Sequence, residues 1–279
     1  MLDYLKSIYN LNDKKLVSLY DELSLWAAPF GLQLLNTIEM KTNIKVLDIG
    51  PGPGFPLIEL AQRLGKSCQV YGIDPWKMAI QRVKEKIDFH KLTNVEIREG
   101  IAENLPFDDE FFDLIVSNNG LNNVQDQSKA LSECYRVAKT KAQMVLTMNL
   151  PETMKEFYNI YYATLKQLQM EDYISNVQKH ILKHRQPVEN TVKRIQNAGF
   201  SIKKVNQDSF KMRFSTGSAL LNYSFIKMAF LDGWKSCVVS EKLESVFVTL
   251  EANLNSYAKK KDGIDLTIPF ACFDCKKIL

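Results

Sequence analysis

Residue types and spacing suited to chemistry gather in one stretch, Val46-Leu47-Asp48-Ile49-Gly50-Pro51-Gly52-Pro53-Gly54-Phe55-Pro56. An apolar run leads into Asp48, three glycines follow at alternate positions, and an apolar, helix-compatible run begins at Pro56. Glycine has no Cβ and tolerates positive φ, so a strand ending in such a turn lets a nucleotide-like ligand approach the backbone closely. Pro56 suits the first turn of a helix, where its missing N–H would have had no partner. The free N–H groups of that turn favour a carboxylate. Twenty residues after Gly54, the run Tyr71-Gly72-Ile73-Asp74 ends in an acid, the place from which dinucleotide folds bind ribose hydroxyls. Taken alone, Asp74 is equally a helix cap. Its coupling to the glycine loop, at the interval a strand–helix–strand unit imposes, favours the ribose role.

The glycines run G-x-G-x-G at positions 50, 52 and 54, not the G-x-G-x-x-G of the dinucleotide fingerprint. With Asp48 before them, they resemble motif I of the class I S-adenosylmethionine (SAM)-dependent methyltransferases, in particular the small-molecule branch that includes quinone-biosynthesis enzymes (methyltransferase type 11). A second segment, Glu99-Gly100-Ile101-Ala102-Glu103-Asn104-Leu105-Pro106-Phe107, resembles that family's Gly-Asp-Ala-Glu-x-Leu-Pro-Phe. The resemblance implies SAM as cofactor. Gly50, Gly52 and Gly54 would cradle its methionine portion and Asp48 would support the loop and the amino group. Asp74 would hold the ribose, and Pro75, Trp76, Met78, Ile101 and Ala102 would surround the adenine. Two departures matter. Ile101 stands where the family commonly has an Asp that accepts the adenine amine, and Asn123 stands where it often has a His.

The run Phe112-Asp113-Leu114-Ile115-Val116-Ser117-Asn118-Asn119 occupies the motif IV position. Ligands sit at the carboxyl ends of strands in open α/β folds, so Asn118 and Asn119 are expected nearest the methyl-transfer site, with Asn118 also beside the cofactor. No Asp/Asn-Pro-Pro-Tyr/Phe sequence follows, which counts against nucleic-acid base methylation. Methyl transfer from a sulfonium is an in-line displacement with an activated donor. Holding the reactants in near-attack geometry supplies roughly 7–11 kcal/mol of such a barrier, and a base is needed only if the acceptor must lose a proton.

The elements that must position these residues follow from periodicity. Residues 1–40 read as helices, with Leu16, Leu19, Tyr20 and Leu23, then Phe30, Leu34, Leu35 and Ile38, at helical spacing. Tyr20, Trp26 and Phe30 are either site-lining groups or apolar anchors. From 41 to 150 the chain alternates: strands over 44–49, 69–74, 95–98, 112–117 and 144–148, and helices from Pro56 to Leu64, from Trp76 through Ile87, and over 126–138. Such alternation specifies a parallel sheet with helices on both faces. The rhythm breaks over 151–198, where two helical stretches are expected, the second from Pro187 to Gly199. A sixth strand starts at Phe200, helical stretches follow over 217–231 and 240–258, and a last strand covers 266–273. The expectation is a single α/β domain over 1–279, a Rossmann-like, seven-stranded, mostly parallel sheet. It carries N-terminal helices and a helical cap, about 216–260, inserted between its last two strands.

Composition narrows the function. The chain of 279 residues has 46% hydrophobic and 24% charged residues, an ordinary globular balance. No run of 18 apolar residues suggests a membrane span, and the N-terminus lacks the basic-then-apolar order of a secretion signal. Five scattered cysteines do not form a disulfide framework and fit a reducing cytoplasm. The net charge of +4 is mild, and Lys259-Lys260-Lys261 and Lys276-Lys277 carry no interleaved aromatics, which disfavours a nucleic-acid partner. His180-x3-His184 lies in a Lys-rich stretch and reads as a solvated helix face, while Cys272-x2-Cys275 lacks the second pair a zinc site requires. No metal is expected. The function predicted is methyl transfer from SAM to a small-molecule acceptor. The rivals are a non-catalytic SAM-binding protein, an RNA or protein methyltransferase, and an NAD-type oxidoreductase.

Overall fold

The computed structural model describes residues 2–22 and 25–278; Leu23 lies outside them. Seven strands form one sheet in the order β3-β2-β1-β4-β5-β7-β6: β1 (Lys45–Ile49), β2 (Gln69–Asp74), β3 (Val95–Glu99), β4 (Phe112–Asn118), β5 (Ala138–Asn149), β6 (Phe200–Phe214) and β7 (Ile264–Lys277). Strands β1 to β5 pair in parallel and β7 runs antiparallel to β5. The helices are α1 (Lys14–Glu22), α2 (Ala27–Thr37), α3 (Leu57–Leu64), α4 (Lys77–His90), α5 (Gln127–Val137), α6 (Lys155–Gln167), α7 (Ile174–His184), α8 (Val188–Asn197), α9 (Gly217–Asn222), α10 (Ser224–Ile226), α11 (Asp232–Lys235) and α12 (Leu243–Lys261). The chain divides into two compact units. One comprises residues 10–149, 187–208 and 270–279, the other 1–9, 150–186 and 209–269.

In the first unit the central parallel strands β1 and β4 are largely buried on both faces, as their apolar sequence requires, while β3 at the sheet edge buries only Ile97. Val46, Val70, Ile97, Leu114, Val116 and Val145 join Leu57, Leu60, Ala61 and Leu64 of α3, Ile80 and Val83 of α4, and Leu34, Leu35 and Ile38 of α2 in one apolar cluster. Register brings the carboxyl ends of neighbouring strands level. Asp48 lies beside Gly72 of β2 and Val116 of β4, and Asp74 lies beside Glu99 of β3. Each switch from strand to helix therefore falls along one edge of the sheet.

In the second unit α6 and α11 supply an aromatic core, to which α12 adds a mostly aliphatic stripe. Phe157 stacks on Trp234 at 3.9 Å between ring centroids, and Tyr161 donates a hydrogen bond to the Trp234 carbonyl at 3.1 Å. Val246, Phe247, Leu250, Leu254 and Ala258 form the buried stripe of α12, which follows the helical spacing of that sequence.

The structure corrects several expected boundaries. Strand β5 begins at Ala138, which pairs with Phe112 of β4 ahead of a register shift, and β7 spans Ile264–Lys277, with Asp274 to Lys276 still paired to β5. Over 151–198 there are three α-helices where two were expected; α7, with its alternating Lys, His and Gln, has only Val177 fully buried. The stretch 217–231 is broken into α9, α10 and a π-turn at Lys227–Leu231. Pro56 sits just before α3, at its N-cap, after a cis Phe55–Pro56 bond. Trp76 likewise precedes α4 and does not extend its stripe. His180 is not on a solvated face: it is half-buried, and a Cβ at Gly233 would clash with its ring.

Beyond β4, the Gly120 backbone lies against the end of β1, so that a Cβ there would fall 2.5 Å from the Ile49 carbonyl oxygen and 2.8 Å from Ser117 Oγ. The first neighbour is backbone, and the second is held by hydrogen bonds to the Ile49 carbonyl and the Leu121 N–H. We expect Gly120→Ala to lower the unfolding free energy by about 1–3 kcal/mol, the ordinary range for forced overpacking, as measured by urea denaturation. An unchanged midpoint would show that the two strand ends are not in contact.

Candidate functional site

The glycine turn leaves β1 with Gly50 at φ 73°, Gly52 at 54° and Gly54 at 117°, all in the left-handed half of backbone space. A side chain at any of these positions would strain the turn. The turn is anchored where it starts, since Gly50 N–H donates to the Ile73 carbonyl at the end of β2 (2.9 Å). It is anchored again two residues on, where Gly52 N–H donates to Asp74 Oδ2 (2.8 Å). The other Asp74 oxygen accepts from Trp76 N–H (2.8 Å). Gly100 N–H donates to the Asp74 carbonyl (3.1 Å), bringing the segment after β3 to the same place. The structure therefore brings together Gly50, Gly52, Asp74, Pro75, Trp76 and the start of the Ile101–Ala102 segment.

Two carboxylates there sit in an unusual electrostatic state. Asp48 is fully buried, and among the described residues no group, the nearby Leu57 N–H included, reaches hydrogen-bonding geometry with either carboxylate oxygen. Burial, then the neighbouring Asp74 charge, pushes its carboxyl well above the usual range; the Leu57 amide at the start of α3 opposes this only in part. Asp74 is also raised, by burial, against the opposing Trp76 and Gly52 N–H groups. Tyr20 faces the same carboxylate: its phenol is raised by burial and then by the Asp74 charge. In physical terms the site is short of positive charge and of hydrogen-bond donors.

The remaining predicted residues take distinct surroundings. Ile101 is half exposed and Ala102 buried; Met78 is half-buried and Pro75 exposed. Asn118 is buried at the end of β4, its Oδ1 accepting from Thr147 Oγ1 (2.8 Å) and its Nδ2 donating to the Ala27 carbonyl (3.1 Å). Asn119, at φ 66°, is committed to the loop: its Oδ1 accepts from Asn149 N–H (3.2 Å) and from Asn122 Nδ2. Of the N-terminal aromatics, Phe30 is an apolar anchor, fully buried 4.8 Å from Phe270 and 5.6 Å from Trp26. Tyr20 instead meets Trp76 edge-on at 5.6 Å.

Sequence reasoning missed the groups that hold this arrangement. Asp21 of α1 pairs with Arg82 (3.0 Å) and Lys86 (2.6 Å) of α4, and Lys86 also donates to the Pro53 carbonyl in the glycine turn (2.8 Å). Trp76 Nε1 donates to the Leu11 carbonyl (2.7 Å). Gly31 of α2 leaves room for the Phe55 ring, since a Cβ there would overlap it. Ser117 Oγ donates to the Ile49 carbonyl (2.9 Å) and accepts from Leu121 N–H (3.2 Å). Glu103 accepts from Gln125 and Asp126 N–H groups ahead of α5. These partners are 4 to 68 residues apart in the chain, and only the glycines carried a local signal.

This strand order, with a glycine turn after the first strand and an acid closing the second, defines the Rossmann-like methyltransferase class of fold. The chain belongs to the methyltransferase domain family, which matches residues 40–199. A demethylmenaquinone methyltransferase of Geobacillus is 36% identical over 128 residues, 46% of this chain and 55% of that protein. The chain thus spans about half the length of the curated relatives it matches. Among solved structures, YcgJ of Bacillus subtilis aligns with a TM-score of 0.60 over 90% of this chain and 98% of its own at 15% identity. The phosphoethanolamine N-methyltransferase 2 of Haemonchus contortus, solved with phosphomonomethylethanolamine and S-adenosylhomocysteine, aligns with a TM-score of 0.53 over 89% of this chain and 52% of its own at 17% identity. At those identities the likeness is one of fold. Among the described residues no helix is long and apolar enough to cross a membrane, and no group of three or more His, Cys, Asp or Glu is placed to hold a metal ion. Cys272 and Cys275 are buried free thiols, both raised by burial.

The state of Asp48 has a measurable consequence. A carboxyl raised in the folded state stabilises relative to the unfolded chain only at low pH, and that contribution is lost as pH climbs from about 3.8, the unfolded value, through the folded one. Asp48→Asn keeps the shape and removes the charge. It should raise the neutral-pH unfolding free energy of the ligand-free protein by roughly 1–3 kcal/mol and flatten the decline above pH about 3.8. Thermal melts across pH test this, and a variant that melts lower at neutral pH would contradict it.

Proposed function

We propose that this chain is a SAM-dependent methyltransferase acting on a small-molecule acceptor. The observation that carries the proposal is the pair of carboxylates at the glycine turn, one with no hydrogen-bond partner and one held above its usual pKa by burial. A ligand bearing an ammonium and two vicinal hydroxyls offers Asp48 the charge and donor it lacks and Asp74 further donors beside the Gly52 and Trp76 N–H groups. Bound here, SAM would supply a methyl group already activated by its sulfonium. Family membership and a structural neighbour solved with S-adenosylhomocysteine support the same ligand.

In this reading Gly50, Gly52 and Gly54 admit the methionine portion, Asp48 faces its ammonium, and Asp74 accepts from the ribose hydroxyls. Pro75, Trp76, Met78, Ile101 and Ala102 border the adenine. Ile101 offers no side-chain acceptor, so adenine recognition falls to backbone groups. Asn118, fixed through Thr147 and Ala27, is the side chain nearest the reacting methyl. Asn118, Asn119, Asn122 and Asn123 are all neutral amides, and none can take a proton at neutral pH. Catalysis then rests on holding the reactants in line, and the acceptor must be nucleophilic without help from this loop. The curated relatives' acceptor, a demethylmenaquinone, is one candidate. Non-catalytic SAM binding is the second reading, favoured by the half-exposed Ile101 and the all-amide loop.

Turnover of methyl-labelled SAM with a panel of quinol, amine and carboxylate acceptors separates the two. Labelled product from any acceptor supports the enzyme; tight SAM binding with no product from the whole panel favours the binding protein. Asp74→Ala should weaken SAM binding by about tenfold or more, a loss of roughly 1.4 kcal/mol, with an unchanged circular dichroism spectrum. Unaltered affinity would sink the ribose assignment.

A further inference from the structure

The second compact unit contains a charge that its surroundings do not balance. Arg185, the residue just after α7, is only 4% exposed. Its Nη1 donates to the Thr153 carbonyl (3.4 Å) and to the Tyr158 hydroxyl (3.2 Å). The rings of Tyr158 and Phe230 lie 5.5 and 5.6 Å from the guanidinium carbon. Tyr158 is itself fixed by a hydrogen bond from Trp234 Nε1 (3.1 Å). Among the described residues no carboxylate pairs with Arg185. A guanidinium stays charged in any protein environment, and a buried charge without a counter-charge is strongly unfavourable. His180 nearby adds none: burial, and then Arg185 itself, lower its pKa to about 4, so it is neutral at physiological pH.

The geometry leaves one side of the guanidinium available. Nη1 is used twice and the two aromatic rings take up its surroundings, but Nε and Nη2 make no hydrogen bond among the described residues. These two atoms are also absent from the sealed, unpartnered polar atoms, which among the described residues are the Asp48 oxygens and Asn122 Oδ1. Each atom therefore keeps a small accessible area at an otherwise closed, aromatic-lined position. The Nε–Nη2 edge is the fork that takes both oxygens of a carboxylate or phosphate. We propose that Arg185 forms the anion-recognition point of a small-molecule site within this unit, taking an organic oxyanion whose apolar body lies against the half-buried Phe230 ring. The site requires neither the glycine turn nor Asp74, so it stands or falls independently of the cofactor reading.

The test is calorimetric titration of the full chain, at fixed ionic strength, with benzoate, phenyl phosphate and the neutral isostere benzamide. One or both oxyanions should bind about tenfold or more tightly than benzamide, a difference of roughly 1.4 kcal/mol, with benzoate favoured for a carboxylate ligand and phenyl phosphate for a phosphate monoester. Arg185→Gln should abolish that preference. Arg185→Met should lose it too while melting no lower than the wild type, because an unpaired charge has been removed; a guanidinium with a purely structural role predicts a lower melt. Should either neutral variant fail to fold, Arg185→Lys keeps the charge without the fork and should bind the preferred oxyanion about tenfold more weakly. Equal affinity for benzoate, phenyl phosphate and benzamide, binding of none of them, or a lysine variant equal to the wild type would overturn the proposal.

Discussion

A buried carboxylate without a partner, Asp48, is the constraint around which the first unit is arranged. It lies on β1 between the two neighbouring strands, two residues before the glycine turn, with Asp74 at the end of β2 adding a second negative charge. Neither feature favours the ligand-free fold. Both are maintained because the surrounding apolar cluster from α2, α3, α4 and the parallel strands fixes the strand ends regardless of what the carboxylates lack. Backbone strain in the glycine turn and desolvation of the two acids thus fall together at the carboxyl ends of β1 and β2, the kind of coincidence that marks candidate functional sites.

Around that point, order comes from groups distant in sequence. Asp21 ties α1 to α4 through two basic side chains, and one of these, Lys86, reaches the turn itself. Gly31 and Gly120 work in the opposite sense, by withholding a side chain where Phe55 and the Ile49 carbonyl need the space. Asn118 and Asn119 are neighbours with different duties. The first is a positioned amide at the end of β4 and the second secures the loop to β5. A motif-level reading assigns both to the same role because it cannot see which way each amide is bound.

The alternation of strands and helices over 44–148 was legible because buried parallel strands leave apolar runs and their helices leave a 3.6-residue stripe. Asp48, the glycines and Asp74 were legible for a different reason, since backbone conformation and a fixed strand–helix–strand interval leave their mark in residue type and spacing. What was not legible depended on tertiary partners. The added helix α7 buries too little apolar surface to show a stripe. His180 looked solvated among lysines until Gly233 placed another segment against it. The upward shift of the Asp48 carboxyl could not be foreseen, because burial and an absent partner leave no trace in a sequence.

The central claim is that the glycine turn and its two acids hold an adenosyl ligand with a charged amino-acid tail. Calorimetric titration of the purified chain with SAM, S-adenosylhomocysteine and NAD tests it most directly. The account predicts saturable binding of both adenosyl ligands in the range of about 1 µM to 1 mM, the ordinary window for substrates and cofactors, and far weaker binding of NAD. Preferential binding of NAD, or of none of the three, would contradict it.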